Sequence, residues 1–320
     1  MKKINVGIIG KNFGYKLIYT VIHRIKEFNT IAFCFKNPVN FKTINKIKIY
    51  TDWKKMLSNK KIDAVIISSP PETHLEIIKT AIKKKIHIFC EKPVTKSYKQ
   101  VTQVINLLEN KKLLHIVNYE FPKIAAFKFF KKNILKKIHI KKIQINWTIK
   151  MPQQKRSSWK NFHNRGGGIF YNYICHTIYY LQELFGDFSI ENVNKDRKKN
   201  PMNIKIKLRN IKKNFIIYIN FKILSLKSKQ KPIHQIKIFD KNNNFGLFSK
   251  TKSLSDQFIL KKSNKVIFKP IDNKKDFRFY PVFENLKNFQ KSINEKKILK
   301  PNFFDAKKVH FLINQISSIG

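Results

Sequence analysis

Six short apolar runs alternate with amphipathic stretches over the first 120 residues, and this alternation constrains the fold more than any other feature. Strands that alternate with helices of this length predict βαβ units around a parallel sheet. Right-handed crossovers then cover both faces of the sheet with helices. We therefore predict a doubly wound α/β domain over residues 1–120. The runs are Ile4–Ile9, Ile31–Phe35, Ile47–Tyr50, Val65–Ser68, Ile86–Cys90 and Leu113–Val117, with helical patterns near residues 14–26, 52–59, 73–84 and 97–110.

The pattern changes after Tyr119, where a tight junction is expected. Helices are predicted over Phe121–Asn133 and Gly168–Phe185, and Ile138–Ile149 alternates polar and apolar residues as a half-solvated strand does. The run of strands that follows predicts an α+β domain over residues 121–320, with a large, mostly antiparallel sheet that leaves one face open. Its other strand candidates lie near residues 188–193, 202–208, 214–222, 233–239 and 264–269, and its last helices near 281–294 and 303–317.

The composition is that of a globular protein. The 320 residues suffice for two domains, and 42% of them are hydrophobic. No apolar stretch approaches the roughly 18 residues of a membrane span. The N-terminus runs straight into a strand pattern and lacks the apolar helix of a signal peptide. We expect a cytoplasmic protein with no membrane partner.

The three cysteines are predicted to be core residues. They are odd in number and lack metal-ligand spacing, so no metal site is predicted. Cys34 and Cys90 lie in predicted strands, where a free cysteine packs as a small hydrophobe. Cys175 adjoins His176, but neighbouring helix residues point in different directions, which disfavours a thiol–imidazole pair.

The formal net charge of +48 has two interpretations. One is binding to nucleic acid or an anionic membrane. The other is drift toward AT-rich codons, since Lys, Asn, Ile, Phe and Tyr are all abundant. We favour the second interpretation for two reasons. Only six residues are Arg, whose guanidinium group binds bases and phosphates through two parallel hydrogen bonds. In addition, Lys is spread along the whole chain. No specific nucleic-acid partner is expected.

The turn after the first apolar run has the features of a dinucleotide site. Such a site needs a tight glycine turn and close backbone approach to a pyrophosphate at the next helix N-terminus. Gly10 supplies the turn, whereas Asn12 stands where a second glycine is expected. Asn tolerates left-handed backbone better than most residues, and Gly14 offsets the change locally. We predict that Gly10, Asn12, Phe13 and Gly14 contact the cofactor.

The end of the second predicted strand distinguishes between cofactors. NAD sites place an acidic residue there for the ribose 2′-hydroxyl, whereas a cation accommodates the 2′-phosphate of NADP. The sequence reads Phe35-Lys36-Asn37, without a carboxylate. Lys36 and the missing acid favour NADP, with NAD as the alternative.

Two further strand ends carry polar residues. Glu91-Lys92-Pro93 directly follows the run Ile86–Cys90, and the carboxyl ends of parallel strands are where ligands gather in open α/β sheets. Asp63–His74 contains a buried strand, the turn Ser69-Pro70-Pro71 and a helix start. Far downstream, Gly166-Gly167-Gly168 precedes a helix that carries Asn172 and His176.

These motifs, in this order, resemble the Gfo/Idh/MocA oxidoreductases, the family of glucose–fructose oxidoreductase and inositol dehydrogenase. The resemblance covers nearly the whole chain, through Leu184-Phe185-Gly186 and the ending Asp305-Ala306 to Gly320. It implies an N-terminal Rossmann domain, a C-terminal α/β domain with an open sheet, and pyridine-nucleotide chemistry on a carbohydrate-like small molecule. It also implies a homo-dimer or homo-tetramer that associates through the open sheet face. Strands such as Ile138–Trp147 are then expected to carry apolar residues outward.

The resemblance also implies roles for site residues. Lys92 matches the lysine that contacts the reacting oxygen, and His176 matches the active-site histidine. The predicted catalytic set is Lys92, His176 and Asn172. Asn172 and His176, four residues apart on one helix, are expected to face the same way, with Tyr179 on that face. Beside the glycine turn and Lys36, the cofactor-binding set comprises Ser69, Pro70, His74, Glu91, Lys92 and Glu120. His74 is structural or faces the cofactor, and Glu120 contacts nicotinamide or substrate or only ends its strand.

One departure from the family pattern concerns proton transfer. Many members have Asp where this chain has Asn172, and often Asp where it has Tyr179. An amide cannot accept a proton as a base. Proton transfer then falls to His176, because an imidazole exchanges protons near neutral pH, or to Lys92.

Four functions remain open from the sequence. The first is an NADP(H)-dependent dehydrogenase or reductase, and the second is an enzyme that uses a tightly held nucleotide for redox-assisted epimerisation or elimination. The third, suggested by Asn172 and the imperfect glycine turn, is a catalytically impaired nucleotide-binding protein. The fourth, suggested by charge alone, is a nucleic-acid binder. The loops near residues 150–165 and 223–232 carry no code that names the substrate.

Overall fold

Six parallel strands form the first sheet, in the order β3-β2-β1-β4-β5-β6, which confirms the prediction for the N-terminal half. The strands are β1 Ile4–Ile9, β2 Phe28–Cys34, β3 Lys48–Tyr50, β4 Ala64–Ile67, β5 His87–Cys90 and β6 His115–Val117. The computed structural model describes residues 3–37, 47–150, 158–196, 202–225, 227–241, 243–249, 258–270 and 278–319.

The helices between these strands begin where the sequence provides start signals. Pro71 occupies the first position of α3, where a missing N–H costs nothing. The side chains of Asp52 and Ser97 accept hydrogen bonds from backbone amides at the starts of α2 and α4. These helices are α1 Thr20–Ile22, α2 Trp53–Leu57, α3 Pro71–Lys83 and α4 Tyr98–Leu108.

The first helix differs from its prediction. The sequence pattern indicates helix near residues 14–26, but the chain enters a π-helix at Lys11–Tyr19, directly after β1, and continues as α1. The helix therefore begins directly after its N-cap residue, Gly10. Its first backbone amides lie close to the end of β1.

Eight strands form the second sheet, in the order β14-β13-β12-β11-β7-β10-β9-β8. Its pairs are antiparallel except β7 with β10 at the centre, so the prediction of a mostly antiparallel sheet is confirmed. The strands are β7 Ile140–Lys150, β8 Phe188–Asp196, β9 Met202–Asn210, β10 Ile216–Leu224, β11 Ile233–Asp240, β12 Asn244–Ser249, β13 Phe258–Lys262 and β14 Lys265–Phe268. The helices in this half of the chain are α5 Ala125–Asn133, α6 Cys175–Phe185, α7 Phe279–Glu295 and α8 Phe303–Ser318.

The outward face of this sheet is more polar than expected. In β7 the inward residues Ile143, Ile145 and Trp147 are buried, whereas Lys142, Gln144 and Asn146 alternate with them and point to the other face. The expectation that this strand carries apolar residues outward is therefore wrong. The predicted alternation of polar and apolar residues is present, but the apolar residues of this alternation face the core.

The chain divides into two units. The first contains Met1–Tyr119, Ser157–Cys175 and Val282–Phe311, and the second contains Glu120–Arg156, His176–Pro281 and Leu312–Gly320. The domain boundary at residue 120 stays a prediction. In the part of the chain that the structure describes, no helix combines the length and apolarity needed to cross a bilayer.

Candidate active site

The glycine turn joins the ends of β1 and β4. Gly10 has φ +124°, a conformation that side chains rarely allow, and a Cβ added there would lie 2.6 Å from the carbonyl oxygen of Ser68. A Cβ at Gly14 would collide with the Ser68 hydroxyl, which donates to the Ile9 carbonyl oxygen at 3.2 Å. The two glycines therefore let the turn pack directly against Ser68, ahead of a helix. Asn12 is exposed and Phe13 half-buried. The turn fits a pyrophosphate, although its second glycine is replaced by Asn12.

Lys36 lies just beyond β2, where it is exposed. After the larger effect of Arg165, the positive charge of Lys36 helps to lower the pKa of Glu72, which lies in the first turn of α3. Hydrogen bonds from Arg165 lower the pKa of the Glu72 carboxyl, and the charges of Arg165, Lys96 and Lys36 lower it further. Three cations thus act electrostatically on one carboxylate, and Arg165 contacts it directly.

An acidic residue does lie in this region, after β3 instead of β2. Asp52 raises the pKa of the Cys34 thiol, after the larger effect of burial. Its carboxylate accepts a hydrogen bond from the Lys54 amide at 2.7 Å and caps α2. One of the two carboxylate oxygens of Asp52 is therefore engaged in capping the helix.

His74 is fully buried beneath the turn that follows β4. One ring nitrogen, Nε2, lies 2.8 Å from the Ser69 carbonyl oxygen, and Nδ1 lies 3.0 Å from that of Pro93. Burial lowers its pKa, and the contacts with backbone carbonyl oxygens partly oppose that shift. His74 therefore joins the Ser69-Pro70 turn to the segment after β5, which supports the structural alternative. Its contact with a cofactor stays a prediction, as do those of Ser69 and Pro70.

A buried amide network holds Glu91. Asn118 Nδ2 donates to Glu91 Oε1 at 2.6 Å, and Asn285 Nδ2 donates to Asn118 Oδ1 at 3.0 Å and to the Tyr119 carbonyl oxygen at 3.2 Å. Both asparagines are almost completely buried. Neither asparagine belongs to the predicted site residues. Asn118 could have been found as a polar residue directly after β6, but Asn285 carries no such signal.

The structure brings Lys92 and Asn172 together. The Lys92 ammonium donates to the backbone carbonyl oxygen of Asn172 at 3.1 Å, and the Asn172 side-chain amide donates to the Lys160 carbonyl oxygen at 2.9 Å. Both residues are half-buried. The contact spans 80 positions of sequence and fixes the ammonium at the carboxyl end of β5.

His176 belongs to the second unit, and its surroundings differ from those of Asn172. It is 7% exposed and packs against the ring of Phe121, with 4.9 Å between ring centroids. The predicted helix over Gly168–Phe185 is present, but it is not α-helical throughout, because Phe170–Ile174 is a π-helix and α6 starts at Cys175. The geometry that would align residues four apart therefore does not apply across this junction. Tyr179 is buried.

Glu120 and the cysteines complete the predicted set. Glu120 is half-buried and precedes a 3-10 turn over Phe121–Lys123. All three cysteines are buried, as predicted, and the Cys175 thiol donates to the Tyr171 carbonyl oxygen at 2.9 Å. Among the described residues, no group of three or more His, Cys, Asp and Glu side chains could hold a metal ion.

Comparison with known proteins identifies the family. Residues 4–119 match the sequence model of the Gfo/Idh/MocA oxidoreductase family, NAD-binding Rossmann fold, and residues 130–228 match its C-terminal alpha/beta domain. The chain belongs to the Gfo/Idh/MocA oxidoreductases and has an NAD-binding Rossmann fold.

Individual relatives extend this comparison. A 2,7-anhydro-N-acetylneuraminate hydratase of Escherichia coli is 31% identical over 139 residues, which cover 41% of this chain and 36% of the relative. The chain spans about half the length, or less, of the curated relatives that it matches.

Solved structures share the fold across nearly the whole chain. A levoglucosan dehydrogenase with NADH and levoglucosan superposes with a TM-score of 0.81 at 17% identity, covering 99% of this chain and 96% of the other. A 3-ketoreductase from Actinomadura kijaniata with NADP and TDP-benzene gives 0.78 at 13% identity, covering 99% and 98%. At these identities the likeness shows the fold alone.

The glycine turn gives a direct test. Gly10→Ala should destabilise the first unit by more than about 3 kcal/mol, because left-handed strain adds to overpacking, and should weaken nucleotide binding. Gly168→Ala is the matched control: its φ is +68°, but its nearest contact, His163, lies at an ordinary 3.6 Å. It should cost only about 1–2 kcal/mol and leave nucleotide binding unchanged. Urea unfolding and NADPH titration measure both effects. Equal costs for the two variants would show that Ser68 does not confine Gly10.

Proposed function

We propose that this protein is an NADP(H)-dependent dehydrogenase or reductase that acts on a CH–OH group of a sugar, polyol, sugar-nucleotide or related small molecule. The observation that carries the proposal is the Lys92 ammonium, held 3.1 Å from the Asn172 carbonyl oxygen at the end of β5. It stands in a chain whose family has an NAD-binding fold. In open α/β sheets this end of the strands is where cofactor and substrate meet.

Lys92 is assigned the role of holding the reacting oxygen. Bound nicotinamide would supply or accept the hydride, and this is the chemistry that the chain itself lacks. A cation beside a carbinol oxygen favours the alkoxide over the hydroxyl, and beside a carbonyl oxygen it favours developing negative charge. Lys92 donates to a neutral backbone carbonyl, which satisfies one N–H and leaves its charge uncancelled by that contact.

Proton transfer is assigned to His176. The side chain of Asn172 is an amide that donates to the Lys160 carbonyl oxygen, so it positions backbone and cannot act as a base. By resemblance to the family pattern, His176 takes the place of the active-site histidine. Imidazole takes up and releases protons near neutral pH, which suits a general acid–base role.

The charge around Glu72 supports NADP over NAD. Lys36, Lys96 and Arg165 bring three positive charges within range of one carboxylate. Beside the proposed ribose site, this excess of cations complements the charge of a 2′-phosphate.

Cofactor preference tests this part of the proposal. NADPH should bind more tightly than NADH in a fluorescence titration at low salt. Lys36→Asp should reverse the order, because a carboxylate repels the phosphate and accepts the ribose hydroxyl. Lys26→Asp, at an exposed position ahead of β2, is the charge-matched control and should change neither affinity. Tighter NADH binding by the unaltered protein would contradict the assignment.

The acid–base assignment has its own test. His176→Ala should lower turnover by about 10²–10⁴ and remove one inflection from the pH–rate profile, with NADPH binding unchanged. Cys175→Ser, one residue away, is the control and should retain activity, since its buried thiol donates to the Tyr171 carbonyl oxygen and a hydroxyl can do the same. A His176→Ala variant with the full rate and the same pH profile would show that another residue moves the proton.

A second candidate function is a reaction with no net redox change. The Escherichia coli relative is a hydratase, which favours chemistry in which a retained nucleotide is regenerated within each turnover. Absorbance of the purified protein separates the two candidates. A nicotinamide chromophore that survives desalting favours the second, and a cofactor that exchanges freely favours the dehydrogenase.

Assembly and location remain predictions from the resemblance. A cytoplasmic homo-dimer or homo-tetramer, acting in carbohydrate metabolism, is proposed. The exposed Tyr218 and Ile233, 44% accessible each, lie on the outward face of the second sheet and support an interface there. The lysines on the same face limit how apolar such an interface can be.

A further inference from the structure

Residues 158–174, here called the clasp, fold back on themselves. Two 3-10 turns, Trp159–Asn161 and His163–Arg165, lead into the glycine triplet. The amides of Gly166 and Gly167 donate to the carbonyl oxygens of His163 and Phe162 at 3.0 and 2.9 Å. A side chain at Gly167 would collide with the Trp159 carbonyl oxygen, so the turn closes tightly. The clasp is one local unit within the first part of the fold.

One end of the clasp sits on the start of α3. A Cβ at Gly166, whose φ is +79°, would lie 2.7 Å from Pro71 Cβ and 3.3 Å from Lys96 Cα. The neighbouring Arg165 donates to both oxygens of Glu72, from Nε at 2.5 Å and from Nη2 at 2.7 Å. A bidentate guanidinium–carboxylate pair fixes direction as well as distance. This pair is the ionic contact that joins the clasp to α3.

The other end of the clasp holds Lys92. The Asn172 carbonyl oxygen accepts from the Lys92 ammonium, and the Asn172 side chain donates back to Lys160 within the clasp. The position of that carbonyl oxygen therefore depends on how the whole clasp is seated. Glu72 and Lys92 lie after adjacent strands, β4 and β5, and the clasp connects them by a path separate from the sheet.

We propose that the Glu72–Arg165 ion pair is a latch that seats the clasp and thereby positions the Lys92 ammonium. Glu72 and Arg165 are positioning residues, since they act on Lys92 through Asn172. The assignment rests on the proposed role of Lys92 and adds a determinant that lies outside the reacting groups. Hydrogen bonds from Arg165 lower the pKa of the latch carboxyl, and the charges of Arg165, Lys96 and Lys36 lower it further.

The variants isolate the latch. Glu72→Gln and Arg165→Gln each remove one charge and keep a polar side chain. The double variant completes a double-mutant cycle, which measures the interaction between the two residues. Glu76→Gln is the matched control, because Glu76 lies one turn further along α3, is exposed and pairs with Lys79. Glu72→Asp keeps the charge on a shorter stem.

The first readout needs no substrate. Acetylation of Lys92, measured by peptide mass spectrometry against the exposed Lys60 as internal reference, should be faster by about threefold or more in both single latch variants, as expected when a local contact opens. Hydrogen exchange in the peptide spanning residues 158–174 should rise in the same variants. The double variant should match the singles, and Glu76→Gln should match the unaltered protein.

The second readout is kinetic. Loss of positioning should lower kcat by about tenfold or more in both single variants. NADPH should bind Glu72→Gln at least as tightly as the unaltered protein, because this change takes a negative charge away from Lys36. Glu72→Asp should recover part of kcat. A general loss of folding would weaken both kcat and NADPH binding, so the two outcomes are distinct.

The latch and the proposed function fail in different ways. If Lys92 acetylation and exchange of the clasp in Glu72→Gln equal those in Glu76→Gln, the latch is overturned, whatever the activity. If both rise as expected but the unaltered protein turns over no carbonyl or carbinol substrate, the latch stands and the role of Lys92 in hydride chemistry does not.

Discussion

The position of β1 between β2 and β4 is the constraint on which the remainder of the first unit depends. β2 and β3 lie on one side of β1, and β4 to β6 lie on the other, so the order in which strands are added to the sheet reverses at β1. In parallel sheets such a reversal opens a crevice at the carboxyl ends. Gly10 and Ser68 line this edge, because each follows one of the two central strands, and Lys92 follows the next strand along.

Side chains at this edge are held by groups that lie behind them. Glu91 is fixed by Asn118 and Asn285, which are buried and linked to each other. His74 joins the turns after β4 and β5 through two carbonyl oxygens. These hydrogen bonds restrict the groups that they join, although Oδ1 of Asn285 is itself buried without a hydrogen-bond partner among the described residues. The backbone on either side of Lys92 is therefore set by the sheet, and its ammonium is set by the clasp.

Much of the fold follows from local pattern. The strands of the first sheet could be predicted because each is a short apolar run bounded by helix signals, and the sites at strand ends follow from the topology. β12 and β13 were missed, since Asn244-Phe245-Gly246 and Lys261-Lys262 weaken an alternation that is already short. The π-helix at Phe170–Ile174 has no signal that separates it from an α-helix.

The contacts that organise the candidate site are the part that local pattern cannot supply. Lys92 with Asn172 and Arg165 with Glu72 join residues 80 and 93 positions apart. In a chain with 67 Lys and Arg against 19 Asp and Glu, any acid has many possible partners. Close packing of Gly166 on Pro71 places the neighbouring Arg165 beside Glu72. This packing exists only in the folded chain.

Transfer of deuterium from NADPH labelled at the nicotinamide C4 position tests the central claim most directly. Incubation with a panel of keto sugars and sugar-nucleotide ketones, followed by mass spectrometry of the products, should show deuterium on one carbinol carbon. Lys92→Met, which keeps a similar stem and removes the charge, should bind NADPH and transfer no measurable label in the same time. Transfer by Lys92→Met at the unaltered rate, or bound NADPH with no transfer to any member of the panel, would contradict the assignment of Lys92 to the reacting oxygen.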